Sequence, residues 1–251
     1  MRSTSASPAA TDDGPRVARG VAPPVRLSLA RRAVIEAVGT GLLVAAVVGS
    51  GIMGERLAGG SVGLALLANT AATGAALLAL IAALGPLSGA HFNPMVTVAD
   101  WLGGALSGSE VRAYIVAQVA GGMLGTAAAH LMFETPVFSL SRHARAGPAQ
   151  VFSEVVATFG LVLIIGTCAR RRPSAIPWAV ASYISAAYWF TASTSFANPA
   201  VTLARAVSDS FAGIRPIDVP GFIVAQAIGG TLAVAVVRWL LPPDPDAPSV
   251  Q

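Results

Sequence analysis

The sequence contains no lysine. All 16 of its basic residues are arginine, set against 12 acidic ones, and only 11% of the 251 residues are charged. An ordinary soluble domain carries about 25% charged residues, so a soluble globule of this composition would have too little polar surface to cover itself. A single cysteine, Cys168, excludes a disulfide scaffold and reads as a packing residue. The three histidines, His91, His130 and His143, stand at no metal-ligand spacing. Aromatic residues make up 6% of the chain and do not interleave with an Arg-rich stripe. The isoelectric point near 10.2 therefore does not indicate a nucleic-acid binder. No constellation of nucleophile, base and acid appears, which argues against an enzyme, and nothing calls for a cofactor.

What the sequence does have is apolar length. Apolar residues make up 54% of the chain and the mean hydropathy is +0.68. A membrane helix needs roughly 20 mainly apolar residues. Stretches without Asp, Glu, Lys or Arg cover 37–54, 57–99, 113–133, 155–169, 173–204 and 219–237. Four are about one span each. The other two, of 43 and 32 residues, are too long for one span and too short for two with a loop. Each of these runs through a Gly/Ser/Thr-rich stretch into an Asn-Pro, 88-SGAHFNPM-95 and 193-STSFANPA-200. Asn-Pro starts a helix, with Asn as the cap and Pro in the first turn. Each long run therefore predicts a full span, a non-helical stretch (86–92 and 191–197) and a short helix restarting at the Asn. The expected fold is an all-α membrane protein with six transmembrane helices and two half-helices.

The tails differ in composition. Residues 1–28 and 242–251 are expected to be cytoplasmic tails flanking a channel-like domain at 29–241, and residues 1–26 hold no apolar run of the kind a signal peptide needs. With the N-terminus inside, eleven arginines fall on the cytoplasmic side and five outside. That bias predicts both termini in the cytoplasm, in what the composition suggests is a bacterial inner membrane.

The two halves resemble each other. IVAQVAGG at 115–122 matches IVAQAIGG at 223–230, 36-EAVGTGLLV-44 matches 154-EVVATFGLV-162, and FNPMVTVA at 92–99 matches ANPAVTLA at 197–204. Repeat 1 spans about 29–134 and repeat 2 about 148–241. Three full spans per half bring the second half in from the opposite face. Such an inverted repeat places functional elements at the repeat interface near the midplane, with the half-helices meeting N-terminus to N-terminus.

Non-helical backbone at membrane depth is tolerated where it lines a cavity or is buried in protein. The carbonyls around Ser88, Gly89, Ala90 and His91, and around Thr194, Ser195, Phe196 and Ala197, can accept hydrogen bonds from a permeant. The amides of Asn93 and Asn198 can donate to one. Each half-helix contributes about half a positive charge at its N-terminus, and two such ends facing the centre disfavour cations and protons.

The paired boxes Asn93-Pro94-Met95 and Asn198-Pro199-Ala200, in register with the repeat and with Glu36 and Glu154 in the first and fourth spans, resemble the aquaporin/glycerol facilitator (major intrinsic protein) family over about 30–241. The resemblance implies a right-handed helical bundle, a homotetramer with one pore per subunit, and loop-supporting roles for Glu36 and Glu154. The alternative for these two is a place at the interface facing headgroups. Gln118 and Gln226 can bind loop backbone or another helix. The resemblance also implies a constriction outside the Asn pair, with an Arg directly after the second box. Val201 stands there. By the family's spacing the second-helix position falls at Thr73, the fifth-helix position at Ser185 or Ala186, and the loop position near Ser195. These residues imply a wide, weakly donating ring. Arg205, one turn beyond Val201, either adds charge to the outer vestibule or pairs with Asp209. Met95, where the family usually has Ala, either narrows the midplane or packs between helices.

The function expected is a passive channel in the lipid bilayer for small uncharged solutes with water, closed to ions and protons. Glycerol-like polyols are one solute class. The resemblance implies a second class, neutral metalloid hydroxides such as arsenous acid or methylated arsenicals, by analogy with family members that have Val after the second box. A water-selective channel is the alternative, and a membrane protein with a closed pore is the reading from another class.

Overall fold

The computed structural model describes residues 27–242, so most of both expected tails lies outside the described residues. Eight α-helices follow in order: α1 (Leu29–Leu57), α2 (Val62–Ser88), α3 (Pro94–Leu102), α4 (Gly108–Met132), α5 (Pro148–Arg171), α6 (Ile176–Phe190), α7 (Pro199–Arg205) and α8 (Val219–Leu240). Short 3-10 turns at Pro173–Ala175 and Pro216–Asp218 lead into α6 and α8. There is no strand among the described residues.

Local sequence explains most helix ends. Ser28, Ser61 and Ser107 cap α1, α2 and α4 through their side chains, and Ser107 forms a reciprocal capping box with Glu110. Gly89 ends α2 in the left-handed conformation at φ +95°, which glycine adopts without a Cβ clash. Pro94 and Pro199 open the two short helices at their first turn, each behind an asparagine cap.

Two expectations need correction. The first non-helical stretch is shorter than 86–92, because α2 continues through Pro86 to Ser88. Close to the C-terminal end of a helix, the hydrogen bond that a proline forfeits costs only the last turn. The expected six full spans also come out unequal. Five helices are long and apolar enough to cross a membrane, namely α1, α2, α4, α5 and α8 with its leading turn. The sixth, α6, has 15 residues, about 22 Å at 1.5 Å per residue. The run 173–204 is shared among α6, a loop and α7, which leaves less helix for the span.

Burial is inverted relative to a soluble domain. Val116, Leu124 and Leu131 on α4 are exposed, while Glu36, Gln118, Glu154 and Gln226 are fully buried. A surface of apolar side chains around a polar interior suits a lipid solvent. The repeat shows in the packing: α1 lies against α4, α5 against α8, and α2 meets α6 across the two halves. Close approach at these crossings depends on glycine. A Cβ on Gly121 or Gly125 would sit 2.0 or 2.1 Å from the carbonyl oxygens of Ala37 and Gly41, and one on Gly229 would sit 2.3 Å from that of Val155. These crossings bring α3 and α7 into contact at the centre.

Candidate functional site

The loops that precede α3 and α7 carry five non-glycine residues with positive φ: Ala90, Phe92, Thr194, Ser195 and Ala197, at 47–59°. Each such residue costs of order 1–3 kcal/mol and persists only where its surroundings enforce it. The enforcing group in each half is a buried carboxylate. Glu36 Oε1 accepts from Ser88 Oγ at 2.6 Å and from the His91 N–H at 3.1 Å, and its Oε2 accepts from the Phe92 N–H at 2.7 Å. Glu154 accepts from the N–H groups of Phe196 and Ala197 at 2.9 and 2.8 Å. Neither glutamate faces headgroups.

Of the two alternatives for Gln118 and Gln226, the structure shows bonds to other helices rather than to loop backbone. Gln118 Nε2 donates to Glu36 at 2.8 Å and to Thr97 Oγ1 at 2.9 Å; Gln226 Nε2 donates to Glu154 at 2.6 Å and to Thr202 Oγ1 at 2.9 Å. Each threonine in turn donates to the carbonyl of the asparagine that caps its own half-helix, Asn93 at 3.1 Å and Asn198 at 2.8 Å. The same glutamate–glutamine–threonine–asparagine chain thus occurs in both halves. Thr97 and Thr202 lie in the repeated motif but were not singled out by sequence; their register in the two boxes was the available signal.

The asparagines bond crosswise. Asn93 Nδ2 donates to the Ala197 carbonyl at 2.8 Å, and Asn198 Nδ2 donates to the Phe92 carbonyl at 2.7 Å. Their Oδ1 atoms cap α3 and α7 by accepting from Met95, and from Ala200 and Val201. An amide nitrogen carries two N–H bonds, so one on each asparagine remains for the lumen. Both residues line a narrow cavity of about 60 Å³ at the repeat interface.

Of the expected constriction residues, Thr73, Ser195 and Val201 line this cavity. Ser185 and Ala186 do not. Ser185 packs against Gly74, where its Oγ would lie 2.2 Å from an added Cβ, and Ala186 is exposed. The face of α6 toward the cavity carries Val180, Ile184 and Tyr188. The expected positions miss this face: Ile184 lies one residue before Ser185, and Tyr188 three after it. Tyr188 is buried, and its hydroxyl donates to Thr73 Oγ1 at 3.2 Å. Tyr188 thus adds an aromatic ring and a hydroxyl to the lining that the expected residues did not include.

Arg205 is 1% exposed and lines the same cavity. Its guanidinium lies over the Phe196 ring at 3.4 Å from the centroid, and its Nε donates to the Ala212 carbonyl. It does not pair with Asp209, whose side chain lies against Arg142. Sequence reasoning missed a second arginine. Arg145, in the loop after α4, also lies over Phe196, at 4.9 Å, and donates to the carbonyls of Gly213, Ser193 and Phe211 and to Thr194 Oγ1. Burial pushes its guanidinium down to about 10, so it is still charged at neutral pH. Nothing in the linear sequence marks a loop arginine as buried.

Met95 is buried against Gly230, whose added Cβ would sit 2.6 Å from Met95 Cγ. It packs between α3 and α8 and does not line the cavity. His91 lines the cavity, with Nδ1 3.1 Å from Thr97 Oγ1 and Nε2 3.0 Å from Asp100. Below it, Tyr114 donates to the Ser88 carbonyl at 2.7 Å, and Arg32 bridges Tyr114 and Glu110.

Two capped half-helices bonded crosswise, each behind its own buried glutamate, repeat the arrangement on which the resemblance rested, and comparison with known sequences decides it. The family description "Major intrinsic protein" matches residues 25–175 and 167–249. The chain belongs to the major intrinsic protein family. It is a multi-pass membrane protein of a family of channels for water and small solutes. It is 58% identical over 215 residues to the aquaglyceroporin AqpS of Rhizobium meliloti (strain 1021), covering 86% of this chain and 92% of that protein. It is 31% identical over 158 residues to aquaporin Z of Photorhabdus laumondii, covering 57% and 68%. Its fold is similar to the X-ray structure of the aquaglyceroporin from Plasmodium falciparum, with TM-score 0.65, 18% identity, and 86% and 98% of the two chains covered.

Proposed function

We propose that this major intrinsic protein is a passive channel for small uncharged hydroxylated solutes, together with water, and that it is closed to ions and protons. The solutes are glycerol-like polyols and neutral metalloid hydroxides such as arsenous acid and its methylated forms. The observation that carries the reading is Val201 lining the cavity next to the crosswise asparagines. An apolar side chain there leaves lumen volume that an arginine would fill, and pore diameter with its lining donors sets selectivity. The similarity to AqpS, described as an aquaglyceroporin, supports the same reading. The apolar residues exposed on α1 and α4, such as Val38, Leu42, Val116 and Leu124, suit lipid or the neighbouring subunits of a homotetramer. The arginine bias predicts both termini in the cytoplasm of a bacterial inner membrane.

A water-selective channel is the second reading, and one observation favours it: Tyr188, bonded to Thr73, adds an aromatic side chain to the cavity lining that also holds Val201. Stopped-flow light scattering of proteoliposomes under an inward glycerol gradient separates the two. Fast shrinkage followed by protein-dependent reswelling supports the solute channel. Fast shrinkage with reswelling no faster than that of empty liposomes supports water selectivity. Shrinkage at the lipid background means a closed pore.

A further inference from the structure

Three polar groups beside the cavity lack partners or are only half used. Arg205 is 1% exposed, and the bond from Nε to Ala212 is the one hydrogen bond of its guanidinium among the described residues. Among the described residues no carboxylate forms an ion pair with it. Glu154 is taken up by Phe196, Ala197 and Gln226, and Asp209 lies with Arg142. Ser195 Oγ is buried without a partner among the described residues. The Tyr188 hydroxyl has given its proton to Thr73, which leaves its oxygen free to accept. Arg205, Ser195 and Tyr188 line one cavity.

The remaining N–H groups of Arg205 have no protein acceptor among the described residues, and Arg205 lines the cavity, where an oxygen from the lumen can meet them. Arg205 lies four residues beyond Val201 on α7, about 6 Å further from Asn198 at 1.5 Å per residue. Tyr188 similarly lies three residues beyond Ser185, in the last turn of α6. The strong donor that the family carries at Val201 is therefore present one helical turn further along α7, and Tyr188 adds an aromatic hydroxyl that neither Ser185 nor Ala186 offers.

We infer that Arg205 and Tyr188, with Ser195, form a selectivity ring on the outer side of the asparagine pair. There a neutral solute accepts from Arg205 while donating a hydroxyl proton to the Tyr188 oxygen. Glycerol-like polyols and un-ionised oxyacids carry both functions on one small molecule. Cations carry no acceptor and meet two guanidinium charges, Arg205 and Arg145, stacked on the same phenylalanine. The lumen wall at Val201 is apolar, so selection takes place at the ring, before the solute reaches the asparagines. The inference deepens the channel reading and rests on it.

The test uses the full chain in liposomes with three readouts: osmotic water flux, glycerol reswelling, and proton leak followed with an entrapped pH dye. Wild type is compared with Arg205→Gln and Tyr188→Phe, each shown to be monodisperse and helical. For Arg205→Gln the expected result is a proton leak raised about tenfold, the equivalent of ~1.4 kcal/mol, and a reduced glycerol-to-water ratio. For Tyr188→Phe, which keeps the ring and removes the acceptor, the ratio falls about fivefold, a loss of one hydrogen bond's worth. Wild-type water and glycerol fluxes at the level of empty liposomes overturn the channel reading itself. A conducting wild type with unchanged ratio and leak in both variants overturns the selectivity ring and leaves the channel standing. If Arg205→Gln does not fold, an unchanged ratio in Tyr188→Phe alone overturns it.

Discussion

Asn93 and Asn198 are each bonded to the loop that leads into the other: the Asn93 amide donates to Ala197, the residue before Asn198, and the Asn198 amide donates to Phe92, the residue before Asn93. The two half-helices are thereby locked end to end, with their positive ends facing each other. Asn198→Asp removes the donor to Phe92 and places a negative charge where the two dipoles converge. The expected outcome is a several-fold rise in proton leak through proteoliposomes, with water flux retained. An unchanged leak would show that the dipole pair is not the barrier.

The two glutamates carry the strain of the loops. Glu154→Gln puts an NH₂ group opposite N–H donors of Phe196 and Ala197 that now end on a carboxylate. Losing one charge-assisted bond and leaving the N–H groups unmet costs about 3 kcal/mol. Glu36→Gln acts on Ser88, His91 and Phe92 in the same way. Thermal unfolding in detergent should show both variants melting below wild type, with water flux lost in the same order.

Gly121 marks the tightest helix crossing. Its Cβ would lie 2.0 Å from the Ala37 carbonyl, which is backbone and cannot swing aside. Gly121→Ala must separate α1 from α4, at a cost of about 1–3 kcal/mol for overpacking. Melting temperature is the check. Gly63→Ala serves as the comparison, because nothing stands within 4 Å of its added Cβ, and it should leave the melting temperature nearly unchanged.

Val201→Arg restores the family's arginine directly under Arg205. The added side chain fills lumen beside Asn198 and adds a second unneutralised charge on α7. Glycerol reswelling should slow by about tenfold or more while water shrinkage persists, since pore diameter governs the larger solute first. Equal slowing of both fluxes would mean that the arginine blocks the pore rather than tightening it.

Arg145 ties the loop after α4 to three backbone carbonyls, those of Gly213, Ser193 and Phe211. Arg145→Ala leaves these buried acceptors without their donor, about 1–3 kcal/mol for an unsatisfied buried group. Limited proteolysis of the outer loops should be faster than in wild type. Equal rates would show that the loops hold without it.

The architecture was legible because membrane burial writes itself into composition. Runs without charge marked the spans, and two Asn-Pro boxes within overlong runs marked the half-helices, since cap and first-turn chemistry are local. The repeat by itself paired Glu36 with Glu154 and Gln118 with Gln226. What the sequence could not decide was which face of α6 looks inward. Each residue of uncertainty in loop length rotates a helical position by about 100°, and the cavity is lined by Ile184 and Tyr188 rather than by Ser185 and Ala186. Nor could it decide that Arg145, from a loop some fifty residues away, would be buried on Phe196 beside Arg205. Local pattern determined the spans, caps and repeat, because those depend on neighbours in sequence. The chemistry of the ring outside the asparagines depends on how helices rotate and loops fold over one another, and only the tertiary structure decided it.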